Sequence, residues 1–186
     1  AGLTVGTLPD IKFLAKAKAV FAILIPGPVL LIEGHAGIVS LGDNYIFRVL
    51  AVIDPGSGTF LMNISATYNY PNDSGDLLNA QGAVEAFFST ADPDDWHIYL
   101  GEESPDSKRI RAQILSFFTA KTYLMIDKNG LKMGVWIGYS LNEKYGILKV
   151  VLNAWIDGKL QLSTMPFQAA GSLTLYGNAE LSAGPV

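Results

Sequence analysis

The chain has 186 residues, 49% of them hydrophobic and 16% charged, with no cysteine and a formal net charge of −4. That length holds one well-buried domain or two small ones, and the apolar content excludes a disordered chain. The acidic balance argues against nucleic acid as a partner, which needs a basic patch, and the lack of Cys removes disulfides, thiolate metal sites and a Cys nucleophile.

No run of about 18 apolar residues exists, so no membrane-spanning helix is expected. The most apolar segment, 19–32, is broken by Pro26-Gly27-Pro28. A membrane β-barrel suits the alternation but not the placing of the aromatic residues, which make no two girdles. The chain starts at Ala1, without Met or a signal-peptide layout, and stops at Ala183-Gly184-Pro185-Val186. The expectation is a single β domain over 1–186, a module excised from a longer protein.

Residues 1–10 read as a lead-in. From Ile11 to Ile25 every second residue is apolar (Phe13, Ala15, Ala17, Ala19, Phe21, Ile23), the period of a strand with one buried face. Pro26-Gly27-Pro28 turns the chain, since Pro fixes φ and donates no hydrogen bond. Val29 to Leu41 returns as a strand that sets Glu33 and His35 on one face. Gly42-Asp43-Asn44 is the next turn, and Tyr45 to Ile53 the next strand. Asp54-Pro55-Gly56-Ser57-Gly58 turns again. Phe60, Met62, Ile64, Ala66, Tyr68 and Tyr70 then share a face, opposite Asn63, Ser65 and Thr67.

Residues 71–76 read as a loop. Within 77–90, Gly82 to Thr90 fits a strand, with a short helix over 78–88 as the alternative. Asp92, Asp94 and Asp95 form an acidic turn, Trp96 to Gly101 a short strand, and Glu102 to Ser107 an acidic loop. Arg109 to Ile126 alternates without a break, although Ile110, Ile114 and Phe118 also fit helical spacing. Asn129-Gly130 follows, a strong hairpin signal because both residues tolerate positive φ, and alternation resumes from Leu131 to Leu141. Residues 142–146 turn the chain into a strand from Ile147 to Ile156. Asp157-Gly158 reads as a further hairpin turn, Pro166 as the end or a bulge of the next strand, and Tyr176-Gly177-Asn178 as a bulge or turn in the last. Gly134, Gly138, Gly146 and Gly171 read as places to bend or bulge. The fold class is all-β with little helix: an antiparallel meander of about ten long strands, curled barrel-like or folded as a two-layer sandwich.

The phrases GIVSLGD at 37–43, DPDDWHIYLG at 92–101, RIRAQIL at 109–115 and YLMID at 123–127 carry a resemblance. Over about four-fifths of its length the chain resembles a segment of large, β-rich bacterial and fungal proteins, the domain of unknown function 6603. The resemblance implies a module of a longer protein. It brings no activity and no site residues.

Candidate chemistry is sparse. Glu33 and His35 at i, i+2 can face one metal ion, and Asp94 and Asp95 adjoin His97, the other histidine; the plain alternatives are a solvated strand face and a turn cap. Asp92, Asp94, Asp95, Glu102, Glu103 and Asp106 offer oxygen ligands but lack the spacing of a calcium loop. No Gly-x-Ser-x-Gly elbow, phosphate-binding fingerprint or singled-out carboxylate pair is present, so no catalytic residue, metal site or cofactor is named.

The aromatic residues are more informative. Trp136 lies opposite Met133, Val135 and Ile137, among Lys132, Gly134 and Ser140, and Trp155 shares a face with Lys149 and Asn153. Trp136 and Trp155, with Tyr139, are the candidate ligand-binding residues, against the alternative of a second core layer. Four stretches (20–25, 29–32, 115–118 and 147–152) are apolar on both faces, which implies a covered sheet, an assembly or a cavity. Three functions remain. The first is a non-enzymatic module for assembly, through other protein modules or self-association. The second is a binding module for carbohydrate or an apolar ligand. The third is a hydrolase using acidic residues, which needs two close carboxylates, one with a raised pKa.

Overall fold

A computed structural model of the chain describes residues 2–6, 15–24, 29–38, 46–72 and 75–183. Twelve strands follow in order: β1 (Gly2–Gly6), β2 (Ala15–Leu24), β3 (Val29–Ile38), β4 (Phe47–Asp54), β5 (Thr59–Asn72) and β6 (Gly75–Ser89), then β7 (Trp96–Leu100), β8 (Ile110–Ile114), β9 (Phe118–Asp127), β10 (Gly130–Tyr145), β11 (Leu148–Thr164) and β12 (Phe167–Ala183). The only helical piece among the described residues is a single 3-10 turn, Asp106–Lys108. The fold is the all-β antiparallel meander that the alternation predicts, and all twelve strands join one sheet.

One step leaves the meander order. β7 pairs with Val84–Phe88 of β6, and β8 with Leu78–Gln81 of the same strand. β9 repeats the division, giving Leu124–Asp127 to β7 and Phe118–Thr122 to β8. Thus β7 and β8 fill one strand position, interrupted by the excursion 101–109. Their pairings with β6 and β9 close a local ring.

The register assigns every strand residue to a face, because directly paired residues point the same way. One row reads Tyr68–Ala80–Ala112–Ala120–Ile137–Ile156–Leu175 from β5 to β12. A parallel row reads Val49–Ile64–Val84–Leu100–Leu124–Met133–Leu160 from β4 to β11. This is a continuous apolar face. Among the described side chains it carries one charge, Glu143 of β10. Its Thr122 hydroxyl donates 2.9 Å to the Gly134 carbonyl, which hides that polar group. The opposite face holds the remaining strand charges, Glu33, Arg48, Glu85 and Lys159 among them.

Among the described residues no second layer covers the apolar face: the strands in extensive contact are all hydrogen-bonded neighbours. Only Ala86 and Tyr123 are buried hydrophobic residues among those described. The chain exposes 12602 Å², whereas a compact protein of this mass exposes about 8,700 Å².

Several turns differ from the sequence reading. The stretch 109–126 is not one strand: Leu115, Ser116 and Phe117 turn it into the β8–β9 hairpin, with Leu115 and Ser116 at φ 51° and 57°. Asp157-Gly158 is no turn but mid-strand, paired with Trp136 and Val135 on one side and Thr174 and Leu173 on the other. The chain reverses instead at Met165-Pro166. Tyr176-Gly177-Asn178 runs through β12 without a bulge. Gly75–Ser89 is strand, not helix. β5 reaches Asn72 and β6 starts at Gly75, so most of the supposed 71–76 loop is paired backbone. The turns placed at Pro26-Gly27-Pro28 and Gly42-Asp43-Asn44 lie outside the described residues.

Candidate functional site

The polar face is built around the excursion 101–109. Gly101 starts it at φ 66°, and its N–H donates 2.8 Å to the Ala83 carbonyl. A Cβ there would lie 2.9 Å from the Ile110 nitrogen, so the chain leaves the sheet where only glycine fits. The loop then folds over the face. Lys159 Nζ of β11 donates to Glu103 Oε1 at 3.2 Å, Lys121 Nζ to Asp106 Oδ2 at 2.6 Å and Lys108 Nζ to Glu102 Oε1 at 2.6 Å. The Arg109 guanidinium lies 5.4 Å from the centre of the Tyr123 ring. The Lys159 hydrogen bond holds the Glu103 carboxyl below its ordinary pKa, and Lys121 does the same for Asp106. Burial, with the nearby Glu103 charge, pushes the Tyr123 hydroxyl up. A cavity of about 350 Å³ remains under the loop, lined by Asn63, Glu85, Tyr99, Glu102, Lys108 and Arg109.

The histidines do not gather metal ligands. His97 Nε2 lies 3.0 Å from Glu85 Oε1 of the adjacent strand, not beside Asp94 and Asp95. Its ring stacks 4.2 Å from Tyr99 and 5.4 Å from Phe87. His35 and Glu33 do share a face, with Nε2 3.2 Å from Oε1, but Arg48 also donates to that oxygen and lowers the Glu33 pKa. Asp92 caps its own turn, accepting 3.0 Å from the Asp94 N–H. Among the described residues no cluster of three or more His, Asp or Glu suits a metal ion. Sequence reasoning missed the Glu85–His97 pair because the two are twelve residues apart and meet only through the β6–β7 register.

The structure divides the aromatic candidates. Trp136 and Trp155 do lie on the polar face of adjacent strands: Trp155 is directly opposite Gly138, and the Trp136 ring folds over that glycine. Lys121 caps the Trp136 ring at 5.1 Å. Trp155 stacks on Tyr176 of β12, with centroids 5.5 Å apart and planes at 17°. Tyr139 is not among them. It is on the apolar face, packed against Phe117 and Phe118 at 5.7 and 4.9 Å. Gly134 and Gly138 therefore mark places where an aromatic ring covers the backbone, not bends; Gly146, at φ 63°, does sit in a turn.

On the other side, a shallow groove of about 550 Å³ crosses β4, β5, β6 and β8 on the apolar face. Small residues (Ala66, Ala80, Gly82, Ala112) form its floor, and Phe47 and Ile110 stand above it. The chain matches no protein-family model, no curated protein and no solved structure.

Proposed function

We propose that the chain is a non-enzymatic β-sheet module that acts in protein–protein assembly, with the apolar face as its contact surface. One observation carries this reading: among the described residues, an eleven-position sheet with a face nearly free of charge and no layer above it. Val135, Ile137, Leu173 and Leu175 stand 45–69% exposed on that face. Monomeric soluble proteins rarely leave contiguous apolar patches of more than a few hundred Å² open to water. The acids of the 101–109 excursion are each held by a lysine, Glu102 by Lys108, Glu103 by Lys159 and Asp106 by Lys121, which favours binding over acid–base catalysis.

Size-exclusion chromatography with light scattering tests it. The 186-residue chain is expected to elute as a defined oligomer, and Val135→Asp, which sets an unpaired charge in the contact, is expected to weaken association at least tenfold. Lys132→Asp on the polar face is expected to leave it unchanged. A wild-type chain that is a clean monomer at all concentrations overturns the reading. Acyl chains released from the purified protein would instead point to an apolar ligand in the groove between Phe47 and Ile110.

A further inference from the structure

We propose that the outer edge of β12 pairs with β12 of a second copy of this chain, antiparallel and centred on Leu175, so that two sheets become one. β12 is last in the sheet order, and among the described residues only β11 pairs with it. In an antiparallel strand alternate residues turn both N–H and C=O outward, so β12 presents a row of unmatched donors and acceptors. Natural edges are blunted by shortness, Lys, Pro or a bulge. β12 has none of these. It is 17 residues long, contains no Lys, Arg or Pro, and pairs with β11 without a register shift. The other edge strand, β1, spans 5 residues.

The strand is complementary to itself. Two antiparallel copies related by a two-fold axis place residue i opposite residue j with a constant sum. With the axis on Leu175 every residue of β12 is used, from Phe167 opposite Ala183 inwards. On the apolar face Ala169 meets Leu181, Gly171 meets Ala179, and Leu173 meets Gly177: away from the axis no large residue meets another. On the polar face Ser172 meets Asn178 and Thr174 meets Tyr176. Glu180, the one charge on the strand, meets Ala170 rather than its own copy. Any other axis leaves residues unpaired, and an axis between two residues would set apolar side chains opposite polar ones. With the axis normal to the sheet, both apolar faces stay on one side and join.

Cysteine cross-linking of the full chain tests this directly, because the chain has no native Cys. Opposed Cα atoms in an antiparallel pair lie about 4.5–5.5 Å apart, within the span a disulfide bridges. Leu175 is exposed, so Leu175→Cys leaves the fold in place, as circular dichroism can confirm. Mild oxidation is expected to convert Leu175→Cys to a dimer on a non-reducing gel at least tenfold faster than Leu181→Cys, whose two copies would lie roughly 40 Å apart in this register. The double variant Ala169→Cys/Leu181→Cys is expected to cross-link as Leu175→Cys does. Equal cross-linking of Leu175→Cys and Leu181→Cys, or of neither, overturns the proposal. Val135→Asp disrupts the face contact and leaves this cross-link, so the edge and the face fail separately.

Discussion

Tyr123 is only 3% exposed although its face is otherwise wet. Its ring lies over Gly134 of β10, the Arg109 guanidinium covers it, and its hydroxyl donates a hydrogen bond to the Glu103 carboxylate. A Cβ on Gly134 would fall inside that pinned ring. Gly134→Ala is therefore expected to cost about 1–3 kcal/mol, read from the urea midpoint. Gly138→Ala meets the Trp136 ring, which can swing into solvent, and is expected to cost less. The same loop sets a pH dependence. Glu103 and Asp106 have pKa values held below the ordinary range by Lys159 and Lys121. Groups depressed in the folded state contribute stability above their ordinary pKa and lose it as pH falls through the depressed value. The loop is expected to stay closed from pH 8 down to about 5 and to loosen below about 4. The Tyr123 ring signals in NMR spectra report this. Lys159→Met should shrink the acid response, and an unchanged response would show that the Glu103 strap contributes nothing.

The β8–β9 hairpin shows why some elements were legible in the sequence and others were not. Ile114 pairs with Phe118 across a three-residue loop. Such a loop keeps the even positions on the apolar face of both strands, so the alternation runs through the turn with no change of phase. A two-residue loop swaps the phase, and Asp127↔Gly130 was visible for that reason. Asp157-Gly158 has turn chemistry, yet both neighbouring strands pair with it and hold it extended. The site shows the same limit. Alternation puts Trp136 and Trp155 on one face, but Tyr176-Gly177-Asn178 reads as a bulge or turn, and the stack of Tyr176 on Trp155 needs the β11–β12 register. Leu115 and Ser116 are also the two non-glycine residues with positive φ among those described. Left-handed backbone costs an L-residue roughly 1–2 kcal/mol. Ser116→Gly is expected to stabilise the chain by about 0.5–1 kcal/mol after the entropy of the unfolded glycine is counted. A lower thermal midpoint for that variant would mean that the Ser116 side chain has a role the backbone does not show.

At the scale of the whole molecule, alternation reveals which residues share a face but not how many layers the faces make. A meander with tight turns can fold back on itself or run on flat, and the strand grammar is the same. The doubly apolar stretches imply a covered sheet, an assembly or a cavity. The register resolves part of that signal: Leu31, Val52, Leu61 and Phe87 form one apolar row on the polar face, while 115–117 and Ile147 are turn residues. What remains is a single sheet whose stability comes from hydrogen-bonded neighbours and from one layer of side chains on each side. On the assembly proposed here such a sheet gains the rest of its apolar burial from a partner, and its stability is then linked to association. A species that binds only the folded state stabilises it with the logarithm of its concentration, about 1.4 kcal/mol for each tenfold rise. The melting temperature of the wild-type chain is therefore expected to climb steadily as protein concentration rises a hundredfold. Val135→Asp should melt lower and flatten that slope, because it disrupts the face, whereas Gly134→Ala should lower the whole curve and keep the slope. A wild-type midpoint independent of concentration would mean that one layer is stable alone, and the apolar face would lose its standing as an association surface.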